Sequence, residues 1–326
     1  MIKTTIVIPN YNGIEYIENC LKSVLTSDVD VNITVVDNGS TDGSRELVKE
    51  KFAMVKLIEL ESNTGFCHAC NEGINASDTE YIYLLNNDTT IRSDTVSKLE
   101  SVLDKDPKAF CCQSKMMKMS DPSCIDSAGD FYCALGWAFA NGKDVKAVNC
   151  DTFEHGVHKI TSGCGGATLY RRAVIDKIGA LDENHFAYLE DVDWGLRAYI
   201  NGYHSLVNYD SVVLHAGSGA SGSRYNEFKI KLSSKNSVYL IYKNMPLLLI
   251  IFNLPIILIG YLIKLVFFII KGYGATYFNG ILKGLDFCTS PMAREHKVKF
   301  KLSRLGRYIS FELMLLVNIL RRLGEL

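Results

Sequence analysis

Tyr81-Ile-Tyr-Leu-Leu85 runs straight into Asn86-Asn87-Asp88. Five apolar residues without alternation suit a strand buried on both faces, as in a parallel sheet. The abrupt polar stop puts oxygen-bearing side chains at the strand's carboxyl edge. Upstream, Thr5-Ile-Val-Ile8 ends at Pro9 and the turn-rich Asn10-Tyr-Asn-Gly13, and Asn32-Ile-Thr-Val-Val36 ends at Asp37-Asn-Gly-Ser-Thr-Asp-Gly43. Val55–Leu60 supplies another strand. Between these runs, Ile14, Ile17, Leu21, Val24 and Leu25 recur at helical spacing, and helices are predicted over Ser44–Phe52, after Asn63-Thr-Gly65 and over Ser93–Leu103. Repeated strand–helix units predict an α/β protein with an open, mostly parallel sheet and flanking helices. Ligands of such sheets bind at the carboxyl ends of the strands.

Ala109 to Lys159 reads only as mixed. Order returns at Ser162-Gly-Cys-Gly-Gly-Ala-Thr-Leu-Tyr170, followed by a helix over Arg171–Ile178, the acidic cluster Glu190-Asp-Val-Asp193 opening a helix to about Asn201, and a strand over Ser205–Leu214 that ends at His215. No internal repeat or low-complexity tract interrupts the chain.

The 326 residues are 48% apolar and 22% charged, which excludes a disordered or fibrous class. The net charge of −1 hides a split: Arg224–Leu326 carries +11 and Met1–Ser223 carries −12. The sequence therefore divides into an acidic α/β domain, residues 1–223, and a helical, basic and apolar region, residues 224–326. Met245 to Ile263 has no charge, and the apolar run resumes after Lys264 as far as Ile270. That length suits a membrane span, but Pro246 and Pro255 interrupt a straight helix and both flanks are basic. A hairpin dipping into the cytoplasmic leaflet is expected, with the basic residues on anionic headgroups. Tyr308–Leu320 holds Glu312 and reads as an interfacial helix. The basic residues interleave with Leu, Ile and Phe, and no nucleic-acid motif accompanies them, so nucleic acid is excluded as a partner. A true span, and a soluble lid or homodimer interface, are the other roles open to the tail.

The start MIKTTIVIPNYNG lacks a signal peptide, so the ten cysteines are expected to be reduced. Cys67-His-Ala-Cys70 has no second pair at zinc-finger spacing and is expected to pack along a helix.

Several residues carry candidate chemistry, each with a plainer reading beside it. Asp88 could hold Mg²⁺ or Mn²⁺, or cap the next helix. His215 could be a ligand of the same ion or an ordinary loop residue. Asp37 could meet a nucleobase or ribose, or close an Asx-turn with Gly39 and Ser40. Gly65 and Asn71 flank a helix start whose N–H groups could meet a phosphate. Glu190, Asp191 and Asp193 crowd three carboxylates, which raises pKa values and suits a general base. They could equally be a solvated helix start, with Arg197 pairing to Asp193 at i+4.

In order along the chain, the strand-Pro-Asn-Tyr-Asn, Val-Val-Asp-Asn-Gly-Ser, Asn-Thr-Gly-Phe, Leu-Leu-Asn-Asn-Asp, Leu-Glu-Asp-Val-Asp-Trp and His215 pieces resemble the inverting glycosyltransferases of family 2, with their GT-A fold. The likeness spans about Thr4 to Ser221 and is narrowest to rhamnosyltransferase-like enzymes of bacterial surface polysaccharides. One departure is Asn86-Asn-Asp88, where the family often has Asp-x-Asp, so only Asp88 matches a metal carboxylate. The resemblance implies that Pro9, Tyr11, Asn12 and Asp37 line the nucleotide, and that Gly65 and Asn71 lie near the diphosphate and sugar. Asn87 and Gly165 join the substrate-binding set. Asp88 and His215 would hold Mn²⁺ or Mg²⁺, Asp191 would be the base beside Glu190, and Trp194 would wall the acceptor site. The implied reaction is inverting transfer from a nucleotide-diphosphate sugar, dTDP-rhamnose first, to a saccharide or lipid-linked acceptor at the cytoplasmic face of the bacterial membrane. The alternative is a non-catalytic nucleotide-sugar-binding scaffold protein of the same fold.

Overall fold

A computed structural model describes residues 2–146, 153–217 and 225–324. The first third alternates as predicted: β1 (Thr4–Asn10), α1 (Ile17–Val24), β2 (Val31–Asn38), α2 (Ser44–Lys51), β3 (Lys56–Leu60), α3 (Phe66–Asn75) and β4 (Tyr81–Leu85), then a short β5 (Thr89–Ile91) and α4 (Thr95–Lys105). β1 pairs in parallel with β2 and with β4, and β2 with β3. Their carboxyl ends therefore share one edge.

The stretch that reads as mixed carries much of the remaining sheet: β6 (Ala109–Lys118), β7 (Ile125–Ser127), a separate hairpin of β8 (Asp130–Cys133) and β9 (Trp137–Ala140), and β10 (Val157–Ile160). β11 (Ala167–Arg171), α5 (Arg172–Ile178), α6 (Glu190–Ile200) and β12 (His204–His215) follow. The main sheet runs β10-β12-β6-β11-β4-β1-β2-β3. β11 lies antiparallel between β4 and β6, while β12 is parallel to β6. Apolar clusters cover both faces, one around Ile6, Ile8, Leu21 and Tyr83, the other around Val7, Leu84, Phe110 and Trp194. Successive residues of β1 point to opposite clusters, as a doubly covered sheet requires.

Beyond the sheet come α7 (Glu227–Asn244), α8 (Leu247–Ile270), α9 (Gly274–Thr289), α10 (Pro291–Glu295) and α11 (Leu305–Gly324). The expected boundary between residues 223 and 224 lies outside the described residues. α7 does not stand apart from the sheet domain. Asn236, Tyr239, Lys243 and Asn244 are buried; Asn236 and Tyr239 bond to the loop before α6, Asn244 to Asp193 within α6, and Lys243 to both. Pro255 sits inside α8 without ending it. Cys67 and Cys70 are buried in α3, and the nine described cysteines are free thiols. Cys150 lies outside the described residues.

Candidate active site

The carboxyl ends of β1, β2 and β4 open onto a cleft of about 1630 Å³ lined by Pro9, Tyr11, Asn87, Asp88, Gly165 and His215, with Glu190 and Asp191 at the start of α6. These residues converge from five separate stretches of sequence.

Asp88 closes the β4 edge and His215 closes β12, and their side chains meet: His215 Nε2 lies 3.3 Å from Asp88 Oδ1. On its other side, His215 Nδ1 is 2.7 Å from Asp126 Oδ2, and Asp126 Oδ1 takes Lys143 Nζ at 3.1 Å. Burial would lower the imidazole pKa, but hydrogen bonds to Asp126 and Asp88 outweigh it and lift His215 to about 9. An oxygen and an imidazole nitrogen at this separation suit two neighbouring ligands of a hard divalent ion. Asp126 behind the imidazole is the carboxylate that commonly orients a metal-bound histidine. The residues fit such an ion. Asp130, Cys164 and Asp191 also bring ligand atoms within 4.8 Å of one another. Burial pushes that thiol well above its ordinary pKa, so it is a poor partner for a hard cation.

Of the three clustered acids, Glu190 and Asp191 line the cleft and Asp193 does not. The Asp191 carboxylate accepts the Val192 N–H at 2.7 Å and also the Gly165 N–H. Burial raises its pKa to about 6, against the lowering effect of those N–H groups. Glu190 is buried with Oε2 unpartnered, and burial and then Asp191 hold it well above the usual carboxylate range. Asp130, facing Asp191, is raised for the same two reasons in the same order. Asp193 turns inward instead. It accepts from Arg197 Nε and Lys243 Nζ, each at 2.8 Å, and from Asn244 Nδ2 at 2.8 Å. Burial would raise Asp193, and the Lys243 and Arg197 charges override it and hold it low.

The loop before the base is strained. Phe186, Tyr188 and Leu189 have φ of 62°, 69° and 68°, a left-handed conformation that costs a non-glycine residue roughly 1–2 kcal/mol.

Five expected contacts take other places. Asp37 is 0% exposed. Its Oδ1 accepts from Asn10 Nδ2 and its Oδ2 from the Ser40 N–H, each at 3.0 Å, so it closes the Asx-turn rather than facing a nucleotide. Asn12 stands off the cleft wall, accepting the Thr41 N–H at 2.9 Å and tying two loops together. Asn71 is buried, with Nδ2 on Leu181 O and Glu183 Oε1 and Oδ1 on the Leu181 N–H. Gly65, with φ of 95°, is covered by Phe186, whose ring would lie 2.6 Å from an added Cβ. The Phe186 carbonyl takes the Cys67 N–H, so this helix start is closed to a diphosphate. Trp194 is also 0% exposed, wedged against Phe110 and Tyr170 with Nε1 donating to Gly179 O. It belongs to the core, not to an acceptor wall.

The sequence reading missed Asn38, Asn63 and Phe66 on the cleft wall, Asp126 and Asp130 on its floor, and Phe228 and Lys229 from α7. Asp126 and Asp130 sit in the irregular middle without any motif, and only the antiparallel return of β7 and β8 delivers them.

The family described as "Glycosyl transferase family 2" matches residues 5–179. The chain is 24% identical over 237 residues to an N-acetylglucosaminyl-diphospho-decaprenol L-rhamnosyltransferase of Mycobacterium tuberculosis, covering 67% of this chain and 77% of that protein. Among solved structures, it resembles Staphylococcus aureus TarS in complex with UDP-GlcNAc, with a TM-score of 0.53 at 17% identity over 95% of this chain and 79% of that one. It also resembles a Pyrobaculum calidifontis mannosyltransferase with GDP-Man and Mn²⁺, with a TM-score of 0.52 at 15% identity over 95% and 87%. At these identities the likeness establishes the GT-A fold.

Proposed function

The chain belongs to glycosyl transferase family 2, as a glycosyltransferase of bacterial surface-polysaccharide synthesis, and we propose that it transfers a sugar with inversion from a nucleotide-diphosphate sugar to a saccharide or lipid-linked saccharide. dTDP-rhamnose is the favoured donor, on the strength of the rhamnosyltransferase relative, whose name also supports a diphospho-lipid acceptor. The neighbours solved with UDP-GlcNAc and GDP-Man support a nucleotide sugar in the cleft.

One observation carries the reading: Asp191, with a pKa raised to about 6, opens onto the same cleft as the Asp88–His215 pair. A base near neutral pKa is ionised at pH 7 yet still accepts a proton readily. Asp191 takes the acceptor hydroxyl's proton while the Gly165 N–H holds its carboxylate in place. Burial and then Asp191 raise Asp130 and Glu190 above the usual carboxylate range, which weakens either as a nucleophile and supports direct displacement with inversion. Pro9 and Tyr11, with Asn38 and Phe66, wall the nucleotide end. Asp88 and His215 would hold the divalent ion, Mn²⁺ or Mg²⁺, with Asp126 fixing the imidazole. Bound there, the ion supplies the positive charge that a departing diphosphate needs.

Asp191→Asn tests the assignment. It should keep dTDP-rhamnose binding, read as a thermal shift, and lose transfer by about 10²–10⁴-fold. Parallel loss of donor binding would refute the base role.

We propose further that residues 224–326 hold the enzyme to the cytoplasmic leaflet without crossing it. α8 is the one helix among the described residues long and apolar enough to span. Yet one flank of it is docked on protein. Asn253 Nδ2 donates to Glu312 Oε2 at 2.8 Å, and Gly260 O accepts Trp137 Nε1 at 3.0 Å. An added Cβ at Gly260 would lie 2.2 Å from Leu135 O, so β8–β9 and α8 touch backbone to backbone. The opposite flank, including Leu248, Ile251, Leu258 and Leu262, is exposed. A helix with one narrow flank docked on protein at Asn253, Ile257 and Gly260 and the opposite flank apolar and exposed suits the plane of an interface.

A further inference from the structure

Asp191 follows a loop that would not hold its shape alone. Phe186, Tyr188 and Leu189 all carry left-handed backbone, and none is glycine. Such conformations persist where surrounding contacts over-determine them. Beside the Cys67 N–H on the Phe186 carbonyl and the Phe228 ring against Phe186 and Tyr188, the densest polar contacts come from one turn of α7. Asn236 Nδ2 donates to His185 O, Ala187 O and Tyr188 O, each at 2.9 Å. An amide nitrogen has two hydrogens, so three carbonyls converging on it share them, and that convergence exists only while the loop is curled. Next to it, Lys235 Nζ donates to Asn184 O at 2.8 Å. Two turns on, Lys243 Nζ and Asn244 Nδ2 bond to Asp193 on the far side of the base.

We infer that Asn236, aided by Lys235, is the positioning residue of the base. By curling residues 185–188 it sets where α6 begins and hence where the Asp191 carboxylate lies against the Gly165 N–H. The same loop lays Phe186 over Gly65, so the grip also fixes the wall between donor and acceptor ends of the cleft. Asn236 lines no part of the cleft itself. The inference rests on the reading of Asp191 as base.

Two variants of the full chain test it. Asn236→Ala removes the donor, and Asn236→Asp keeps the shape but turns an acceptor toward three carbonyls. Hydrogen exchange of the free protein is the first readout, since it needs no substrate. Residues 185–190 should exchange at least tenfold faster in both variants while β1, β2 and β4 stay slow. Kinetics with dTDP-rhamnose and a prenyl-diphosphate-linked N-acetylglucosamine give the second. A displaced base should lower kcat about 10²-fold, with the donor dissociation constant within threefold of wild type. Unchanged exchange in the loop would overturn the proposal, as would a loss of donor binding that matches the loss of kcat. Asp191→Asn is run alongside: if it retains transfer, the base reading itself is wrong, whereas if it is dead and Asn236→Ala is not, only the positioning role fails. Should the Asn236 variants not fold, Lys235→Met removes a single hold, on Asn184 O, and must still loosen residues 184–188 for the proposal to stand.

Discussion

Lys243→Met should destabilise the protein strongly at neutral pH and weakly in acid. Lys243 Nζ lies 2.6 Å from Asp182 Oδ2 and 2.8 Å from Asp193 Oδ2, with all three side chains nearly inaccessible. Removing it leaves two buried carboxylates with fewer compensating charges. Asp193 keeps Arg197 Nε and Asn244 Nδ2. Asp182 keeps the Tyr239 hydroxyl at 2.7 Å and the Asn184 N–H at 3.1 Å. Breaking a buried pair costs about 3–5 kcal/mol, and these surviving partners put the expectation at the low end, about 3 kcal/mol. At roughly 2 °C per kcal/mol for a chain of this size, Tm should fall about 6 °C. The pH dependence follows from Asp182. Burial would raise its pKa, but the Lys243 charge outweighs this and brings it down to about 2. Its stabilising contribution is therefore present above its unfolded value near 4 and lost as pH falls through 2. Without Lys243 burial prevails, the folded pKa rises above the unfolded one, and the penalty is relieved as acid protonates the group. Urea melts of purified wild type and variant between pH 7.5 and 4.5 should show the gap narrowing. A gap below about 1 kcal/mol, or one constant with pH, would refute the assignment of this network as the bolt between α7 and the sheet domain.

Asp126→Asn should weaken Mn²⁺ binding about 10–100-fold, the usual worth of a carboxylate behind a metal-bound histidine. Mn²⁺ titration followed by electron paramagnetic resonance checks it, and unchanged affinity counts against the ligand pair. The transfer rate should rise with pH through about 6 as Asp191 ionises, and Asp191→Asn should abolish that rise; a limb surviving in the variant assigns it elsewhere. Leu258→Glu with Leu262→Glu puts two charges on the exposed flank of α8 and should move the protein from the membrane to the soluble fraction, each substitution removing about 1.5–3 kcal/mol of apolar burial. Retention in the membrane would argue for a span or another anchor.

Much of the fold is legible because its strands are locally decided. β1, β2 and β4 are apolar runs that stop at polar turns, and a sheet covered on both faces leaves them no other reading. β6 was hidden by its own polarity. Ala-Phe-Cys-Cys-Gln-Ser-Lys-Met-Met-Lys looks half exposed, yet Gln113 and Ser114 are buried. Gln113 Nε2 donates to Ser127 Oγ and its Oε1 accepts the Cys164 N–H. Ser114 Oγ pairs with Ser211 Oγ. Partners that distant in sequence leave no local mark. Trp194 failed for the opposite reason. Periodicity says that a helix residue is apolar-facing or not, but not whether the apolar face meets a core or a ligand, and here it meets Phe110 and Tyr170.

The candidate site divides along the same line. Asp88, His215 and Asp191 are visible because each ends or begins an element, and an element's end is written in its own residues. Asp126, Asp130 and Asn236 act by approaching those residues from elsewhere, so only the assembled topology can bring them in. The result joins parts that composition sets furthest apart. The acidic sheet domain and the basic tail share no motif, yet the tail's first helix grips the loop that carries the base, and its next helix presents the apolar flank. A displacement of α8 at a membrane surface would be transmitted through α7, since the two are separated only by Met245 and Pro246. The two roles proposed above, membrane docking by α8 and base positioning by α7, therefore sit on adjoining helices, and loosening either should be felt in the other.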